Sequence, residues 1–165
     1  MRFVHLTIAA LLTGCVPFAG PILNNNGCHY VLSGGYSESG SCQAFGGNNG
    51  TERSFTVAAS GGSFSGAIIM GASGALTTGT YNIGNVPEGA GQLHEGNAAW
   101  AFVLNASGGD PANQGDFTLE LDDTGPVTDG STSQAWLSPH GTLKMNLPAV
   151  PNSGTSGVVQ ASLTF

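Results

Sequence analysis

From residue 54 onward the chain repeatedly places apolar residues two apart, and glycine, proline, asparagine or aspartate closes each run. In 116–121, Phe117, Leu119 and Leu121 alternate with Asp116, Thr118 and Glu120. In 142–147, Leu143, Met145 and Leu147 alternate with Thr142, Lys144 and Asn146. At the end of the chain, Val159, Ala161, Leu163 and Phe165 alternate with Val158, Gln160, Ser162 and Thr164, and Trp100, Phe102 and Leu104 form a further row. Successive side chains of a strand point to opposite faces, so this period predicts strands with one buried face. Strands are expected over Ser54–Ala59, Ser63–Met70, Thr80–Ile83, Ala98–Asn105, Asp116–Leu121, Thr142–Leu147 and Val158–Phe165. No window carries the i, i+3, i+4 stripe of an amphipathic helix. Single-face alternation favours antiparallel over buried parallel pairing. The expected class is therefore all-β, an antiparallel two-layer β-sandwich with long Gly/Asn/Asp-rich loops.

Those loops are expected at Gly84–Asn97, Ser107–Gly115 and Asp123–Ser133, where glycine and turn-forming polar residues concentrate. No repeat of 20–50 residues marks a solenoid or propeller. Charge is scarce: 8% of residues are charged, and beyond Arg2 the cations are Arg53 and Lys144, against ten acids. Nucleic-acid binding relies on Lys and Arg displacing counterions from phosphates, so this balance excludes it as a partner class. It also disfavours direct electrostatic attraction to an anionic membrane surface.

The first residues have a separate logic. Arg2 precedes an apolar run from Phe3 to Leu12, broken by His5 and Thr7, and small residues follow. This is the layout of a secretory signal peptide, too short for the roughly 20 residues of a membrane-spanning helix. Leu12-Thr13-Gly14-Cys15 resembles the lipobox of bacterial lipoproteins. The resemblance implies cleavage after Gly14 and lipid attachment on Cys15. Position two after the cut is Val16 rather than Asp, which in that family favours the Gram-negative outer membrane. The expected organisation is a signal peptide over 1–14, a lipidated cysteine and Pro/Asn-containing tether over 15–27, and one domain over 28–165. With Cys15 acylated, Cys28 and Cys42 are the pair that remains. A bridge between them is expected in an exported protein, with two free thiols as the alternative.

The search for chemistry yields little. Gly62-Ser63-Phe64-Ser65-Gly66 looks like a nucleophile elbow but lacks its strand-to-helix context. His29, His94 and His140 show no metal-site spacing, and the two at strand starts read as ordinary hydrogen-bonding residues. Glu120 and Asp122 fall on the polar side of a strand, as solvated acids. Asp122, Asp123 and Asp129 lie within one Gly-containing stretch that could supply oxygens to calcium, without EF-hand spacing. Trp100 shares the row of Phe102 and reads as core, while the direction of Trp136 is open.

Around these residues the chain is similar to small Gly/Ser/Thr-rich β lipoproteins of Gram-negative bacteria. The similarity rests on the cysteines after the tether, Gly79-Thr80-Tyr81, Gly115-Asp116-Phe117-Thr118-Leu119, and His140-Gly141-Thr142-Leu143 through Phe165. It implies no catalytic residue. The expectation is a non-enzymatic, membrane-anchored protein with a structural or adhesive role and a protein or glycan partner. The rival is a carbohydrate-binding module, calcium-assisted through the acidic loop.

Overall fold

The computed structural model describes residues 27–48, 51–72, 77–104, 115–125, 127–129, 134–136 and 139–165, with backbone alone at 72, 127–129 and 134–136. The strands are β1 (His29–Gly34), β2 (Glu38–Asn48), β3 (Glu52–Ala59), β4 (Phe64–Ala72), β5 (Gly79–Asn82), β6 (Glu88–Glu95), β7 (Ala98–Leu104), β8 (Asp116–Asp123), β9 (Val127–Asp129), β10 (Gln134–Trp136), β11 (His140–Pro148) and β12 (Val158–Thr164). Ten of them form one hydrogen-bonded path in the order β5-β8-β11-β12-β1-β2-β3-β4-β6-β7. Every pairing on it is antiparallel. The short β9 and β10 branch off it, β10 pairing with the last residues of β2.

The all-β antiparallel class follows from the alternation, and the path shows how its faces meet. β2 pairs with β1 through residues 38–41 and with β3 through residues 42–48. The sheet turns on this strand, and its two halves cover one core. Aromatic pairs join strands far apart along the path: Tyr30 of β1 with Phe64 of β4 at 6.1 Å, Phe55 of β3 with Phe165 at 5.0 Å, and Phe102 of β7 with Phe117 of β8 at 5.8 Å between ring centroids. At the far edge, Trp100 of β7 bridges to Ala149, and Val150 N donates to Ala99 O at 2.9 Å. The structure is thus one curled antiparallel sheet, continuous through β2.

The inner face carries rows set by register. Leu119, Leu143, Leu163 and Tyr30 stand side by side on β8, β11, β12 and β1, all buried. Burying a side chain of this size contributes about 1.5–3 kcal/mol. The buried residues form a single cluster that includes Cys28 and Cys42. These two are joined by a disulfide, with Cα atoms 5.0 Å apart. It fastens the chain just before β1 to the middle of β2, where the sheet turns.

One expected loop is a strand. Gly84–Asn97 contains β6, which lies between β4 and β7. Its inner positions are Gly89, Gly91 and Leu93. A Cβ on Gly89 would meet the Phe117 ring at 3.0 Å, and one on Gly91 would meet Phe102 at 2.8 Å, Leu147 at 2.9 Å and Met145 at 3.0 Å. Large side chains of β8 and β11 from the opposite half, together with Phe102 of the neighbouring β7, fill the inner positions of β6, so its glycines are a packing requirement rather than a turn signal. Gly40 of β2 lies under the Tyr30 ring in the same way. Part of Asp123–Ser133 is likewise strand, β9. Of the third expected loop, Ser107–Gly115, only Gly115 lies among the described residues.

Gly91→Ala therefore inserts a methyl where three side chains already meet. It is expected to destabilise the domain by about 1–3 kcal/mol. Gly61→Ala, where no atom lies within 4 Å, is expected to stay within about 0.5 kcal/mol. Urea denaturation midpoints check both. Replacing Cys28 and Cys42 together with serine is expected to cost about 3 kcal/mol, measured in the same titration, and peptide mapping without reductant should recover the two joined.

Candidate functional site

The lipobox cysteine, Cys15, lies outside the described residues. Asp122 and Asp123 are exposed at the end of β8, and Asp123 Oδ1 accepts a hydrogen bond from Gly125 N at 2.9 Å. Asp129 is on β9, and its side chain lies outside the described residues. Among the described residues, no three His, Cys, Asp or Glu side chains are grouped as metal ligands. His29 and His140 begin β1 and β11 and are exposed. Ser63 precedes β4 in a hairpin between two strands, so the elbow-like stretch has no helix after it. Trp100 is 3% exposed and belongs to the core, leaving no open face for a sugar ring. The side chain of Trp136 lies outside the described residues.

A different group of polar side chains does converge. The turn between β1 and β2 carries Tyr36, and the curl of the sheet brings it against the β6–β7 hairpin. The ring centroids of Tyr36 and Trp100 are 5.9 Å apart. Glu38, the first residue of β2, receives two phenols: Tyr30 Oη donates to Oε1 at 2.6 Å, and Tyr36 Oη lies 3.1 Å from Oε2. Tyr36 Oη is also 3.2 Å from Oε2 of Glu95, at the end of β6. A phenol has one proton to give, so Tyr36 donates to one of the two carboxylates at a time.

Partial burial and then the two carboxylates push the Tyr36 hydroxyl up to about 12. Burial, followed by Glu38, raises that of Tyr30 as well. Both phenols therefore stay protonated at neutral pH and serve as donors rather than bases. Trp100 Nε1 is buried and has no hydrogen-bond partner among the described residues, with Gly35 passing close by: a Cβ there would sit 3.1 Å from it. The arrangement locks one hairpin onto the other. No sequence signal foretold it, because Tyr36 and Glu95 meet only after the sheet has curled.

The outer face of the β5–β8–β11–β12–β1–β2 half is a second feature. Register aligns Thr80, Glu120, Thr142, Thr164, His29 and Ser41 across six strands, with Asn82, Thr118, Lys144, Ser162, Val31 and Ser39 in the next row. Neighbours bond across it: Thr142 Oγ1 to Glu120 Oε2 at 3.3 Å, and Asn146 Nδ2 to Asp116 Oδ1 at 2.5 Å. Short hydroxyl and amide groups dominate this surface. Comparison of the chain with protein-family models, curated proteins and solved structures gives no match.

The hairpin lock carries a pH signature. The folded-state value of Tyr36 lies above its ordinary value of 10.0. Its contribution to stability is therefore complete below pH 10 and is lost as pH rises from 10 toward 12. Tyr36→Phe is expected to flatten the fall in melting temperature over that interval. Melting curves on both proteins check it, with phenolate absorbance reporting the titration.

Proposed function

We infer that the chain is a lipid-anchored extracytoplasmic protein of the Gram-negative outer membrane, in which one curled β domain has a structural or adhesive, non-enzymatic role. The observation that carries this reading is Leu12-Thr13-Gly14-Cys15 directly after a short apolar run. Each buried CH₂ of an acyl chain adds about 0.8 kcal/mol, and one myristoyl chain binds only marginally, so stable anchoring takes more than one chain. The diacylglyceryl cysteine that a lipobox implies meets that need. The Cys28–Cys42 bridge suits an oxidising compartment outside the cytoplasm. The adhesive or structural role is supported by the six-strand face of hydroxyl and amide groups, which presents many donors and acceptors with little charge.

Cys15→Ser is expected to abolish metabolic labelling with a fatty acid and to move the domain from the membrane to the soluble fraction. A variant that still partitions into detergent as the parent does would overturn the anchored reading.

A further inference from the structure

The hydrogen-bonded path of the sheet ends on β5 at one side and on β7 at the other. An end strand offers its outward N–H and C=O groups as a template on which another chain can add a strand. The β7 edge is covered by the chain after β11. Trp100 bridges to Ala149, Val150 N donates to Ala99 O at 2.9 Å, and Ser153 Oγ reaches the same carbonyl at 3.2 Å. β5 is short, but its residues Gly79, Thr80, Tyr81 and Asn82 include no lysine and no proline, and their register with β8 has no bulge. Among the described residues, its outward groups are met by one side chain. Asn85 Nδ2 donates to Thr80 O at 2.9 Å, and Asn85 Oδ1 accepts from Asn82 N at 2.7 Å. Alternate residues of a strand turn their backbone groups to the same side. The amide therefore spans two successive residues of that edge and makes the bonds a neighbouring strand would make.

The turn after β5 is built to bring this amide back. Asn82 O accepts from Asn85 N at 3.0 Å and from Val86 N at 3.2 Å, and Asn82 Oδ1 accepts from Gly84 N at 2.8 Å. Val86, the next residue, is buried in the core cluster and pins the returning chain. The residue type matters: a primary amide carries donor and acceptor on one planar group, whereas an aspartate would meet the Thr80 carbonyl with no proton to give.

We propose that Asn85 is a built-in stop that ends the sheet at β5 and keeps a second copy of the chain from adding there. A second copy is the natural intruder because this edge is its own complement. Two β5 strands related by a two-fold axis run antiparallel, with Asn82 N of each copy reaching Thr80 O of the other. Those are the two groups the Asn85 amide occupies. The inference goes beyond the lipid-anchored reading and stands independently of it.

The test uses the full chain carrying Cys15→Ser, so that no acyl group contributes to association. Asn85→Ala and Asn85→Ser are made in that background. Both residues suit a turn, and neither reaches both backbone groups, so a second variant is at hand should one fail to fold. Amide hydrogen exchange read by NMR and sedimentation velocity are followed over a concentration series. In dilute solution the Asn82 amide should exchange several-fold faster in the variants than in the parent. On concentration the variants should form a dimer that the parent does not, and the Asn82 amide should slow again as it forms. Unchanged Asn82 exchange in the variants overturns the assignment of Asn85 as the cover. Faster exchange with no more association than the parent overturns its role as a stop. A dimer in which the Asn82 amide stays fast also overturns it, by placing the contact at another surface.

Discussion

The fold depends on large side chains of one half of the sheet entering glycine positions of the other. Met145 and Leu147 of β11 and Phe117 of β8 lie against Gly66, Gly89 and Gly91 of β4 and β6. A Cβ on Gly66 would come within 3.1 Å of Met145 Sδ and 3.3 Å of Val57. Interiors pack at the density of organic crystals, so volume given up by one layer must be filled by the other. Here β4 and β6 give up side chains at these positions, and β8 and β11 supply phenylalanine, leucine and methionine. This allows the halves to approach closely enough for β7 to reach Ala149 and Val150 and for the curl to tighten.

That close approach is a matter of hinge as well as fit. β2 is long enough, at 11 residues, to serve both halves. Cys42 is the residue at which its pairing passes from β1 to β3, and it is the residue bridged to Cys28. Cys42 N also accepts its place by donating to Cys28 O at 3.0 Å. The covalent link and the hydrogen bond fix the turn of the sheet at its midpoint, and the hairpins at the open end are held by the Tyr36, Glu38 and Glu95 contacts.

The strands legible in the sequence are those whose inner positions hold large apolar residues: β3, β4, β7, β8, β11 and β12 match the alternation to within a few residues. The short β5 was marked by Tyr81 beside a glycine turn. β6 was hidden because two of its inner positions are glycine, and glycine in isolation signals a turn. β2 was hidden for the same reason, with Gly40 and Gly46 inside it, and β1 because its apolar residues Tyr30, Val31 and Leu32 are consecutive. The Cys28–Cys42 pairing was legible once Cys15 was set aside as the lipid site. The Tyr36 cluster was not, because its members lie 59 residues apart and a lone tyrosine among glycine and serine looks like any exposed turn residue.

A sheet built on glycine needs reinforcement. Each glycine in a strand loses more backbone freedom on folding than alanine, at roughly 0.5–1 kcal/mol. For Gly66, Gly89 and Gly91 together this amounts to about 1.5–3 kcal/mol. Closing the loop between Cys28 and Cys42 contributes about 3 kcal/mol in the chain-entropy model, which offsets it. Ion pairs offer little in exchange, since the chain has three lysines and arginines against ten acids. No charged or polar residue is buried among the described residues, so the interior adds no electrostatic support. The packing scheme therefore leans on the Cys28–Cys42 bridge. The glycine-lined core and the covalent closure at the turn of the sheet are two parts of one physical requirement.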